Sequence, residues 1–233
     1  MLAREGNMKI VYASDSSLLL GFGDAISPTL HSRVISLFHA LQARNHPGIR
    51  NLHPGYSSLL IDFDPLQLDH KGLAALVEQT ADHPGQSIAG ESVVTIPVCY
   101  DAELGPDLPD IAVKAGIASE EVIRLHSSAE YLVCFLGFTP GLAYLGGMPE
   151  TLHTPRLPTP RKTVAAGSVG IAGSQTGIYP VSSPGGWRLI GRTPLRMFNP
   201  ESRPPTLLQP GDRVKFTPIH RRAFDELAAR EWA

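Results

Sequence analysis

The sequence predicts an α+β chain in two parts: a small N-terminal α+β domain over residues 1–91 and a β-barrel domain over residues 92–233. Three observations point there. Helical and strand periodicities alternate in the first part, as in a layered sandwich. The second part is a series of short strand-like runs between glycine and proline turns, the pattern of a closed barrel with ordered loops. Glycine and proline are also spread unevenly, with 24 of 43 between residues 137 and 212, a shift in texture that marks a change of domain. With 42% of its 233 residues apolar and 18% charged, the chain has the material for a real core and is not a disordered polymer.

Residues 9–12 and 17–22 read as short strands, with Leu18 and Leu20 on one face. Ser27 suits a helix cap with Pro28 at the first helical position, where the missing donor costs nothing. Leu30, Val34, Leu37 and Leu41 then form a helical stripe, and Asn45-His46-Pro47-Gly48 ends it. Residues 49–53 and 57–63 form a hairpin around Pro54-Gly55. Asp64-Pro65 opens a second helix with Leu66, Leu73, Leu76 and Val77 inward. A strand over 92–100 leads into a helix pair, 107–116 and 119–127, the second capped by Ser119 with Glu120 and Glu121 at its positive end. Residues 212–217 read as the last strand and 221–232 as a terminal helix.

The net charge of −2 excludes a global basic field for nucleic acid. Cys99 and Cys134 are too few for a disulfide scaffold and read as small buried hydrophobes. No apolar run is long enough for a membrane span. The N-terminus lacks an apolar secretory core; residues 1–7 read as a start-site extension, and the expected compartment is the cytoplasm. The nine histidines show no H-x-x-x-H pair, so no metal site is expected. His126 reads as a satisfied structural histidine, although the last turn of a helix favours its cation.

Chemistry concentrates later. Residues 163–187 carry no charge and hold six glycines, whereas residues 151–203 carry +6 against −8 for the rest. The basic residues are Arg156, Arg161, Lys162, Arg188, Arg192, Arg196 and Arg203. Arginine forks and glycine loops suit a phosphate or carboxylate; a solvated basic face is the plainer alternative. The glycine tract lacks the Gly-Lys-Ser/Thr of a Walker loop, and Ala166 stands where a Ser168 nucleophile elbow needs glycine. Tyr144, Tyr179 and Trp187 suit a pocket lining or core packing.

From His126 onward the chain resembles the 5-oxoprolinase B-subunit family, also called allophanate hydrolase subunit 1 or KipI-like. The likeness is carried by Gly137-Phe138-Thr139-Pro140-Gly141-Leu142-Ala143-Tyr144-Leu145-Gly146, by the P-R-x-x-x-P-R run ending at Arg161, and by GSVGIAGSQTGIYPVSSPGGWRLIGRTP from Gly167. Leu142 replaces the usual Phe, and Val164-Ala165-Ala166-Gly167 the usual V-P-A-G. The resemblance implies a cyclophilin-like barrel without prolyl isomerase activity. It implies a component that works with a C subunit and a LamB/YcsF-like A subunit to open 5-oxo-L-proline to L-glutamate with ATP hydrolysis, the isolated chain being inactive. ATP, with magnesium, is expected to be held by the complex. The alternatives are an inhibitor of a sensor histidine kinase, or the carboxyltransferase half of a biotin-dependent urea carboxylase.

On this resemblance no catalytic residue is named. Arg156, Arg161 and Arg192 are expected to hold anionic groups, Ser168, Gln175 and Thr176 to offer neutral donors, and Tyr179 and Trp187 to shape the pocket.

Overall fold

A computed structural model describes residues 8–24, 27–82 and 93–231. The chain divides into two compact units, Met1–Ala89 and Gly90–Ala233. The expected extension 1–7, the division after residue 91, the strand start at Ser92 and the helix end at Trp232 lie outside the described residues.

In the first unit β1 (Lys9–Ser14), β2 (Ser17–Gly21), α1 (Pro28–Arg44), β3 (Ile49–Pro54), β4 (Ser58–Phe63) and α2 (His70–Asp82) follow in turn. The strands form one antiparallel sheet in the order β1-β2-β4-β3. Strand alternation sends Leu18, Leu20, Leu59, Ile61 and Phe63 into one core with Val34, Leu37 and Leu41 of α1 and Leu73 and Val77 of α2. Ser27 caps α1, its Oγ accepting from Leu30 N at 3.4 Å, and Asn45 ends it at φ 43°. The second helix starts later than Asp64-Pro65. Asp64 instead closes a local turn, accepting from Leu66 N at 3.1 Å and Gln67 Nε2 at 3.0 Å, and pairs with Arg50. An acceptor satisfied within its own turn does not nucleate a helix. Leu66 is accordingly 94% exposed.

The second unit runs β5 (Val93–Val98), α3 (Leu108–Ala115), α4 (Ser119–Ser128), β6 (Glu130–Leu136), β7 (Ala143–Gly146), β8 (Arg161–Val164), β9 (Ser168–Ala172), β10 (Gln175–Ile178), β11 (Ser183–Gly185), β12 (Arg188–Arg192), β13 (Arg213–Pro218) and α5 (Arg221–Glu231). Ser119 is the first residue of α4, and Ala118 takes the cap position without a side-chain bond. Seven strands join in the order β12-β9-β10-β7-β6-β13-β5. Only β13 and β5 run parallel. Cys99, one residue past β5, exchanges two backbone bonds of 2.9 Å with Arg192 at the end of β12. That bridge joins the last strand of the order to the first and closes the expected barrel. Closure needs glycine beside the seam: a Cβ on Gly191 would stand 2.7 Å from Cys99 O and 2.8 Å from Val98 Cγ1.

The barrel interior is apolar, with Ile96, Val133, Leu145, Val169, Ile171, Ile190 and Phe216 fully or almost fully buried. One polar chain threads it. Tyr100 Oη donates to His126 Nδ1 at 2.8 Å, His126 Nε2 donates to Thr176 Oγ1 at 3.0 Å, and Thr176 donates to Gly170 O at 3.0 Å. This direction follows because each hydroxyl has one proton to give. The ring stacks on Phe216 at 4.5 Å. Desolvation outweighs the helix end and pushes the His126 pKa down to about 3. Both cysteines are free and buried, and burial lifts the Cys134 thiol to about 11.

Two outcomes are expected. Gly191→Ala overpacks the seam and lowers the unfolding free energy by about 1–3 kcal/mol, measured in urea. The folded chain keeps His126 neutral, while the unfolded chain binds its proton below about pH 6.5. Stability is therefore highest above that pH and falls as pH drops toward 3; the urea midpoint should decline between pH 7 and 4, and decline less in His126→Gln.

Candidate functional site

The glycine-rich tract forms a flat wall on the outer face of the barrel. Gly170 of β9 and Gly177 of β10 lie directly opposite each other in the ladder. The side chain of Trp187 packs over both: a Cβ on Gly177 would stand 2.9 Å from the indole Cζ3, and one on Gly170 3.1 Å from the Trp187 Cβ. These glycines admit an aromatic ring. They form no phosphate cradle, because they sit in strands, where backbone amides serve the ladder.

A pocket of about 290 Å³ opens beside this ring, lined by Phe138, Leu142, Tyr144, Arg156, Tyr179 and Trp187 together with Pro160, Pro184 and two glycines. Tyr144 and Tyr179 meet the indole edge-on, at centroid distances of 5.6 and 6.3 Å. Phe135 stacks behind Tyr144 at 4.5 Å. Gly185 lies against the Tyr179 hydroxyl, where any Cβ would collide. Burial raises the pKa of both phenols, and the charge of Arg156 opposes it in each. Both are thus protonated donors at neutral pH. Arg156 is exposed and has no hydrogen-bond or ion-pair partner among the described residues.

Phe138 forms the rim. It is 68% exposed and holds φ at 67°, a conformation that costs a side-chain-bearing residue about 1–3 kcal/mol. A tight turn enforces it, with Thr139 N donating to Gly137 O at 2.8 Å. Next to lining residues in the sequence, Thr139 and Ser183 bury hydroxyls that find no partner among the described residues. Sequence reasoning missed Phe138 as a site residue; the G-F-T-P-G run that forces its turn was the available signal.

The structure brings Arg156, Tyr179 and Trp187 together and disperses the other expected site residues. The Arg161 guanidinium is held by the buried carboxylate of Asp107 at 2.7 Å and by Trp187 O at 3.4 Å. The other Asp107 oxygen accepts from Leu189 N at 2.6 Å, so this pair fastens the chain before α3 to β8 and β12. Thr176 faces the interior with His126, so it offers no outward donor. Ser168 is buried in β9 opposite Arg192. Arg192 Nε donates to Ala166 O at 2.7 Å, and burial lowers the pKa of its guanidinium. Gln175 opens β10 opposite Ala172. Arg188 pairs with Asp110. No group of three or more metal-ligating side chains occurs among the described residues, and no described helix is long and apolar enough to cross a membrane.

Residues 8–208 match the family described as carboxyltransferase domain, subdomain C and D. The B subunit of 5-oxoprolinase from Bacillus subtilis is 38% identical over 227 residues, covering 93% of this chain and 95% of that protein. The protein of that name from Haemophilus influenzae is 47% identical over 169 residues, covering 72% of this chain and 76% of its own. The crystal structure of TTHA0988 superposes with a TM-score of 0.79 at 39% identity, over 88% of this chain but only 40% of that one. By the match over residues 8–208 and the identity to these B subunits, the chain belongs to the 5-oxoprolinase B-subunit family of carboxyltransferase subdomain C and D proteins.

Proposed function

We propose that this chain is the B component of an ATP-dependent 5-oxoprolinase that opens 5-oxo-L-proline to L-glutamate in the cytoplasm, together with a C subunit and a LamB/YcsF-like A subunit. The observation that carries the reading is the 38% identity to a 5-oxoprolinase B subunit across 95% of that protein's length. The pocket supports it chemically. An unactivated lactam is a poor electrophile, and ATP supplies the phosphoryl group that would activate its oxygen. The pocket's own lining argues against a triphosphate there: Trp187 packs on Gly170 and Gly177, and Arg161 and Arg188 are already paired with carboxylates. ATP, with magnesium, is therefore assigned to the complex rather than to this pocket. The part left to this chain is to hold and orient a small anionic substrate against apolar walls that exclude water.

The complex of all three components, purified together, is expected to release phosphate from ATP only when 5-oxoproline is present, with glutamate formed in step. Phosphate release indifferent to 5-oxoproline, with the A and C components verified, would overturn the reading.

A further inference from the structure

We propose that the Trp187 pocket binds a small ring bearing a single carboxylate, with Arg156 as the residue that holds the carboxylate, and that it does not take the phosphates of a nucleotide. Naming that ring as the lactam substrate rests on the function proposed above; the pocket's preference for a ring carboxylate does not.

The donor set matches one carboxylate. Arg156 offers a planar fork that suits two oxygens at once. The Tyr144 and Tyr179 hydroxyls both lie within reach of its charge and both stay protonated, so each has a proton to donate. The walls match a ring. Trp187, Leu142 and the exposed Phe138 are apolar, and Pro160 and Pro184 present flat faces. A backbone held at positive φ on the rim is the kind of strain that gathers at binding sites.

The same features disfavour a nucleotide. A triphosphate calls for several cations or a nest of free backbone amides. Here the neighbouring Arg161 is neutralised by Asp107, and Gly170 and Gly177 are strand residues packed under the Trp187 side chain. Arg156 is left as the pocket's uncommitted cation among the described residues.

The chain has two tryptophans, so a Trp232→Phe background isolates the Trp187 fluorescence. In the full chain, and again in the three-component complex, 5-oxoproline should change that signal saturably. 2-Pyrrolidinone, which keeps the lactam ring and lacks only the carboxylate, and a non-hydrolysable ATP analogue should neither change it nor compete. Arg156→Gln should weaken 5-oxoproline binding about 10- to 100-fold, the loss expected for a charge-assisted pair. In the complex it should raise KM for 5-oxoproline by the same factor while KM for ATP stays put. Tyr144→Phe, which removes one donor and keeps the ring, should shift the same KM by a smaller factor. A signal that 5-oxoproline never perturbs in chain or complex, displacement by the ATP analogue, or an unmoved KM in Arg156→Gln each overturns the pocket assignment. A complex whose Arg156→Gln form hydrolyses 5-oxoproline normally refutes the pocket and leaves the function. Arg156-dependent binding in a complex that never hydrolyses 5-oxoproline refutes the function and leaves the pocket.

Discussion

The side chain of Trp187 takes the space that side chains at positions 170 and 177 would need, through its Cβ at the first and its ring at the second, and the geometry of the outer face follows from that contact. With two glycines facing each other across the ladder, the sheet surface is flat enough for a ring to lie on it. Tyr144 and Tyr179 then meet the ring edge-on, an arrangement aromatic quadrupoles favour. The Tyr179 hydroxyl lies in turn against Gly185, so a third glycine extends the same packing. Each aromatic position depends on the one before it. Interiors tolerate little free volume, so the pocket's shape is set by this packed assembly and not by the long side chain of Arg156.

The electrostatics of the basic segment resolve in the same way. Its +6 does not converge on one site. Two of its arginines neutralise aspartates in or just before α3, and another braces the loop at Ala166 from the barrel seam. A strong positive run in the sequence becomes, in the fold, a set of fasteners between loops plus one guanidinium left over at the pocket. The net field of the segment is thus a poor guide to how many charges a ligand would meet.

Much of the fold was legible because the signals were local. The Ser27-Pro28 start of α1, its apolar stripe and the Pro54-Gly55 hairpin depend on residues a few positions apart, and strand alternation placed the first unit's core. Asp64-Pro65 imitated a helix start because the cap signature does not say whether the carboxylate will be spent on its own turn. The glycine tract is ambiguous for a related reason. Glycine permits close approach, but composition does not name the approaching atom; beside Gly177 the fold supplies an indole carbon. Thr176 was readable in principle: a period of two puts it on the face of Ile178, away from Gly177 and Tyr179. The Arg161–Asp107 pair was not, since 54 residues separate its partners and nothing in either neighbourhood points to the other.

The parallel pairing of β5 with β13 has a bearing on how the chain is made. These are the first and last strands of the barrel in sequence, yet they lie side by side. During synthesis the interior lined by β5 therefore stays without one wall until β13 has left the ribosome. The two strands that flank it, β5 and β6, must each wait with an edge unpaired, β5 for more than a hundred residues. Such long-range closure is slow and exposes apolar edges while it is pending. Closure of the barrel is thus a late event, while the ladder that carries the aromatic face is already paired within itself.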